Sequence, residues 1–181
     1  MITGRGRFNI YLVCVLTALA FCGCQSDKQD QEKENEKEYA TLKMHMEVPR
    51  DMMDFSKQVP IFRQRPVLVN VDKDPFLTEA YVSGAKIVDA PGGWELQISF
   101  ERRGKWLLEQ KTTTNPGKHI AIFAEWGKKL KEARWLAAPV IPRRISNGVL
   151  TFTPDATREE MEELVLGLNN LAAKMSEQDK W

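Results

Sequence analysis

Residues 148–175, GVLTFTPDATREEMEELVLGLNNLAAKM, read as a short strand, a turn at Pro154 and Asp155, and one long helix. Met161, Leu164, Val165, Leu168, Leu171, Ala172 and Met175 recur at helical spacing and form one apolar stripe. Glu159, Glu162, Glu163, Asn169, Asn170 and Lys174 take the other side, so the pattern predicts a helix lying on a core with its polar face in water. Thr157 and Glu160 have the T-x-x-E spacing of a capping box. In that motif hydroxyl and carboxylate each accept a backbone N–H that the first helical turn leaves without a partner. Such a helix needs a sheet to cover.

The rest of the chain supplies strands. Leu42, Met44, Met46 and Val48 alternate with Lys43, His45 and Glu47, the period of a half-buried strand, which Pro49 ends. Residues 50–58 predict a short helix through Met52, Met53 and Phe55. Val67, Val69 and Val71 alternate with Leu68 and Asn70 in a second strand, before the turn-forming VDKDP. Residues 79–88 predict a third, with a bulge at Gly84, and Pro91, Gly92 and Gly93 form a turn. Trp94, Leu96, Ile98 and Phe100 then alternate strictly with Glu95, Gln97, Ser99 and Glu101, so this strand has one dry face and one wet one.

Residues 103–112 predict a helix with Trp106, Leu107 and Gln110 toward the sheet. The β-branched Thr112, Thr113 and Thr114 weaken its end, and Asn115, Pro116 and Gly117 stop it. The run IAIFA at 120–124 is apolar on both faces and predicts an interior strand. A basic connection follows from Gly127, residues 134–138 lead into Pro139, and Asn147-Gly148 signals a tight turn. The order from residue 79 is β, β, α, β, β, β, α. It predicts an α+β fold, a two-layer open-faced sandwich whose antiparallel or mixed sheet carries its helices on one face.

The first residues change the picture. Arg5 and Arg7 precede an apolar run at 8–21, then Cys22, Gly23 and Cys24. The run is short of the roughly 20 residues of a spanning helix and fits the apolar region of a secretory signal. Gly23 before Cys24 resembles the lipobox of bacterial lipoproteins, in which a small residue precedes a cysteine that is acylated and becomes the new N-terminus. Phe21 and Cys22 depart from that pattern. The expectation is a signal at 1–23, lipidation with palmitate at Cys24, and membrane attachment through that lipid, facing the periplasm. An ordinary secretory signal or an uncleaved anchor is the alternative.

Cys14, Cys22 and Cys24 are the only cysteines, which leaves the mature domain no disulfide or thiol chemistry. Residues 25–38, QSDKQDQEKENEKE, contain no apolar side chain and set three lysines against six carboxylates. With Cys24 they predict a disordered acidic tether, reaching on the order of 20 Å. The remaining divisions are N-terminal strands and a short helix at 39–76, the α+β domain at 77–175 and a tail at 176–181.

Forty-three per cent apolar and 28% charged residues describe an ordinary globular protein of 181 residues. The net charge of +1 becomes −1 without Arg5 and Arg7, so there is no electrostatic case for nucleic acid. His45 and His119 are the only histidines; they are far apart and lack thiol companions, so no metal or cofactor is expected. No G-x-S-x-G, H-E-x-x-H or P-loop pattern occurs. The acidic cluster at Glu159, Glu160, Glu162 and Glu163 suits a helix N-terminus better than acid–base chemistry.

Two groups remain as candidate binding residues. Trp94 and Trp106 fit core positions, but Trp126 and Trp135 flank one loop and predict a cross-strand pair that could seat a ligand. Lys128, Lys129, Lys131 and Arg134, with Arg143 and Arg144 near in sequence, form either a solvated loop or an electrostatic contact for anionic headgroups or an acidic partner.

Several pieces in order carry a resemblance: the strand WELQISF, the helix end EQKTTTNPGK, the strand GKHIAIFAEW, RWLAAPVI closing on Ala-Pro, ISNGVLTF, and the capped helix TREEMEELVLGLNNL. Residues 77–173 thereby resemble the head subdomain of the first periplasmic domain of the protein-translocase subunit SecD. The loop GKKLKEAR is longer than in that pattern, and the family's charged transmembrane helices are not recognised in the sequence. The resemblance implies a fold and a polypeptide-binding surface, with no catalytic residue and no translocase activity to carry across. The expectation is a non-enzymatic envelope lipoprotein that binds protein or peptide in the periplasm, with the wet face around Glu95, Gln97 and Ser99 as one contact surface. A structural envelope-assembly protein acting through its sheet edge is the first alternative. A hydrolase or sugar-binding protein using the tryptophans is the second.

Overall fold

A computed structural model describes residues 38–50 and 54–178. The expected signal, Cys24, residues 25–37 of the tether and the last three residues of the tail lie outside the described residues. The described chain builds an α+β fold in which every strand pairing is antiparallel. β1 (Thr41–Met46) pairs with the short β4 (Leu77–Thr78) on one side and with β7 (Ile120–Trp126) on the other; β8 (Glu132–Ala137) extends the sheet beyond β7. β7 is thus the interior strand that its two apolar faces predict. β5 (Val82–Ala90), β6 (Gly93–Phe100) and β9 (Val149–Phe152) form a second sheet, and β2 (Ser56–Ile61) and β3 (Val67–Asp72) form a hairpin. Helices α1 (Arg102–Thr114) and α2 (Arg158–Gln178) complete the predicted order from β5, with the bulge at Val82 and Gly84.

One apolar cluster unites the larger elements. Leu42 and Met44 of β1 and Ile120, Ile122 and Ala124 of β7 meet Leu96, Ile98, Leu150 and Phe152 of the second sheet. Leu108 of α1 and Met161, Leu164 and Leu168 of α2 cover them. Ala121 points the other way, since successive strand residues alternate faces, and joins Val59, Ile61, Val69 and Val71 in a separate cluster under the hairpin. The hairpin therefore covers the second face of the four-stranded sheet and places its own edges beside β1 and β8.

The capping box forms. Thr157 N–H donates to Glu160 Oε2 at 2.7 Å, and Glu160 N–H donates to Thr157 Oγ1 at 3.3 Å. Further along α2, Gly167 is fully in contact with the chain entering β1: a Cβ there would stand 2.7 Å from Ala40 Cβ and 2.8 Å from Ala40 N. Asn169, expected only to face water, brackets the edge strand β5. Its Oδ1 accepts Ala85 N–H at 2.8 Å and its Nδ2 donates to the Ala85 carbonyl at 3.0 Å. That amide supplies to β5, beside its bulge, the two bonds a neighbouring strand would otherwise provide.

Two expectations are corrected. The helix at 50–58 is contradicted where it is described: residues 56–61 are strand β2, paired in register from Ser56 opposite Asp72 to Ile61 opposite Val67. Residues 51–53 lie outside the described residues, and Phe55 is 68% exposed. The phase of α1 is also different. Gly104, Leu108 and Thr112 are its buried residues, Leu107 is partly buried, Gln110 is exposed and Trp106 is 58% exposed. The helix lies so close to Tyr81 and Phe100 that only glycine fits at 104, and a stripe spaced by four runs from it. Its threonine end is accommodated by back-bonding: the Thr112 hydroxyl donates to the Leu108 carbonyl at 2.8 Å and accepts Ile145 N–H at 3.0 Å.

Candidate functional site

The register of β7 and β8 separates the residues that sequence grouped. Phe123 stands opposite Trp135, and Trp126 opposite Glu132. Trp126 is fully buried in the main core, whereas Trp135 packs on the hairpin cluster at the other face. The expected Trp126–Trp135 pair is therefore not formed. Arg134 lies over the Trp126 ring at 4.9 Å and ion-pairs with Glu160 at 2.5 Å, so it serves the interior. Burial alone would raise the Glu160 carboxyl, but Arg134, Thr157 N–H and Arg63 outweigh it and hold the group below the ordinary carboxylate range. Arg144 is paired with Glu109 of α1, and Arg143 is exposed beside it after β8. Lys128, Lys129 and Lys131 stand exposed at the turn after β7.

Trp135 has acquired different neighbours. Its ring centroid is 5.2 Å from that of Phe123 and 5.3 Å from that of His45, with Lys57 Nζ 5.3 Å above it. Lys43 Nζ lies 5.9 Å from the Phe123 ring and 3.4 Å from Glu125. Two adjoining hollows of about 450 and 390 Å³ share Phe123 and Trp135 in their lining. One is rimmed by Lys43, Lys57 and Lys73, the other by Pro60, Phe62 and Arg63. The floor is aromatic and the rim cationic, which suits an extended chain carrying apolar and acidic side chains.

His45 fixes this floor to the hairpin. It is 2% exposed, and its Nδ1 lies 2.8 Å from the Asp72 carbonyl, to which an Nδ1–H donates. Burial pushes its pKa below the ordinary value, and the Asp72 carbonyl offsets only part of that. A further hollow of about 440 Å³ opens where the hairpin meets the end of β1, lined by Phe62, Val67 and Leu68 together with Glu47 and His119. His119 Nδ1 is 2.6 Å from Glu47 Oε2. Burial raises the Glu47 carboxyl, but the bonds from the His119 ring and N–H bring it below its usual range.

The hairpin thus carries much of the exposed apolar surface, with Phe62 44%, Val67 54% and Leu68 54% exposed. Sequence reading passed it over, although PIF at 60–62 and VLV at 67–69 show consecutive apolar residues that a strand cannot bury on one face. Among the described residues no group of three or more His, Cys, Asp or Glu could hold a metal ion, and no helix is long and apolar enough to cross a membrane.

Residues 52–173 match the SecDF, P1 head subdomain family. The chain belongs to that family. The head match reaches upstream of residue 77 and so takes in the hairpin. A solved structure of SecDF, a membrane component that enhances protein export, is 20% identical and aligns over 82% of this chain and 70% of its own, with a TM-score of 0.53. A crystal structure of SecDF in a super-membrane-facing form is 21% identical over 82% of this chain, with a TM-score of 0.52, and this chain spans 21% of it. At such identity both structures share the fold. No curated protein matches the chain.

Proposed function

We propose that the protein is a non-enzymatic, lipid-anchored component of the bacterial envelope whose head domain binds extended polypeptide in the periplasm. The observation that carries the reading is the paired hollow around Phe123 and Trp135, an aromatic floor with lysines at one rim, beside a hairpin with exposed Phe62 and Leu68. Extended chains supply apolar side chains to such a floor and carboxylates to such a rim. The polar groups of the groove have ordinary partners: His45 bonds the Asp72 carbonyl, Lys43 and Lys57 lie over the aromatic rings, Lys73 donates to the Asp54 carbonyl, and Arg63 and Arg134 pair with Asp155 and Glu160. The family relation to SecDF supports a polypeptide as partner. The wet face of β6 is the second contact surface, where among the described residues Gln97 makes a 3.4 Å bond to Thr151.

A photo-crosslinking residue placed at Lys57 in cells should trap polypeptide, and the same residue at Gln97 should not. Equal trapping at the two positions would remove the groove from the reading. Attachment is tested separately by palmitate labelling, which should disappear on Cys24→Ala; labelling that survives refutes the anchor and leaves the groove to be judged by the crosslinks.

A further inference from the structure

We infer that the turn between β7 and β8 is a contact surface for an anionic membrane. After Gly127 the chain makes one tight 3₁₀ turn, Lys128–Leu130, in which Lys129 has φ 59° and Leu130 φ 52°. Both lie in the left-handed region, where glycine is the usual residue and a side chain is disfavoured. The chain places a lysine and a leucine there instead. The result is a tip on which Leu130 is 39% exposed among Lys128, Lys129 and Lys131, all of them exposed. Among the described residues none of these three lysines forms an ion pair, whereas Lys43, Arg63, Arg134, Arg144 and Arg158 each do.

An apolar tip among unpaired lysines has the chemistry of a bilayer surface, where ammonium groups meet headgroup phosphates and the leucine enters the acyl boundary. Two carboxylates stand at the base of the turn, Glu132 and Glu163, each with an atom 3.8 Å from where a Cβ on Gly127 would lie, so the three lysines exceed them by one positive charge; Glu125 is engaged by Lys43 and by the Thr41 hydroxyl. Position agrees with this assignment. Thr41 pairs with Glu125, so the turn leaves the sheet at the end where residues 38–41 enter it. A protein held at a membrane through its N-terminal side brings that end to the surface first. This positional argument rests on the anchor reading; charge and exposure do not.

The full chain in lipid nanodiscs tests it, with one set of discs of phosphatidylcholine and another containing phosphatidylglycerol, each doped with headgroup nitroxide. Amide signals of residues 128–131 should broaden several-fold more in the phosphatidylglycerol discs, while Gly92 and Gly93 serve as reference. The triple variant Lys128→Glu, Lys129→Glu, Lys131→Glu should abolish the difference, and Leu130→Ser should reduce the broadening while keeping its lipid dependence. Broadening at 128–131 no greater than at Gly92 and Gly93, or unaltered by charge reversal, overturns the inference, as does failure to co-elute with phosphatidylglycerol discs. Co-elution with phosphatidylcholine discs reports the anchor by itself: its loss on Cys24→Ala supports lipidation, and its persistence counts against the anchor alone.

Discussion

Glu160 joins three elements, and removing it tests how the domain is tied together. Its Oε2 accepts Thr157 N–H at the start of α2 and lies 2.5 Å from Arg134 Nη2 of β8; its Oε1 is 3.8 Å from Arg63, in the hairpin loop. Glu160→Ala removes half of a capping box, about 0.5–2 kcal/mol. It also strands the Arg134 guanidinium over Trp126 with only 18% of that side chain exposed. Breaking a fully buried ion pair costs about 3–5 kcal/mol and an exposed one about 0–1; with Glu160 itself 25% exposed, this pair belongs between them, at roughly 1–3 kcal/mol. Arg63, half exposed at the edge of ion-pair range, adds little.

The expected loss is therefore about 2–4 kcal/mol for Glu160→Ala and roughly 1–3 kcal/mol for Glu160→Gln, which keeps an acceptor for Thr157. The control is Glu162→Ala, whose exposed pair with Arg158 on the same helix should cost no more than about 0.5 kcal/mol. Urea unfolding followed by tryptophan fluorescence at neutral pH reads all three. Because the folded-state pKa of Glu160 is depressed, its contribution is present above the unfolded carboxylate pKa and lost as pH falls through the folded value. The Glu160→Ala deficit should shrink in acid. A Glu160→Ala chain as stable as Glu162→Ala at neutral pH would refute the reasoning.

Three further outcomes follow from the packing. Gly167→Ala should destabilise by about 1–3 kcal/mol in thermal unfolding, although alanine is the better helix former by about 1 kcal/mol, because its methyl meets Ala40 and the Tyr39 backbone; a gain in stability would show that the contact yields. Leu108→Ala should cost about 2–5 kcal/mol and Trp106→Ala under about 1 kcal/mol, and the reverse order would restore the helix phase predicted from sequence. His45 has a depressed pKa, so its neutral form contributes stability above about pH 6.5 that is lost as pH falls toward the folded value. His45→Gln should flatten the decline in unfolding free energy below that pH, and an unchanged slope would exclude His45 as its source.

What sequence made legible was whatever local chemistry decides. Thr157 and Glu160 cap α2 through atoms three residues apart, and the alternation of Leu96, Ile98 and Phe100 needs only one buried face. The order of elements from β5 followed from such signals. What sequence hid was set by distant partners. Residues 56–61 become a strand because residues 67–72 pair with them, and α1 turns Leu108 inward because Gly104 meets Tyr81. Trp126 and Trp135 are separated by a register that places 126 opposite 132. The same register gave Trp135 its neighbours Phe123 and His45, from strands whose pairing no local pattern states. Arg134 looked like surface charge until Glu160, 26 positions away, was brought beside it.

The groove is best judged by titrating the full chain with a permanently unfolded acidic polypeptide and measuring Kd. Trp135→Ala should weaken binding by about tenfold, the loss of roughly 1.4 kcal/mol expected of an aromatic anchor. Lys57→Glu, on the exposed rim, should weaken it without disturbing the fold. Unchanged affinity in both variants, with circular dichroism matching the unaltered chain, would contradict polypeptide binding along Phe123 and Trp135.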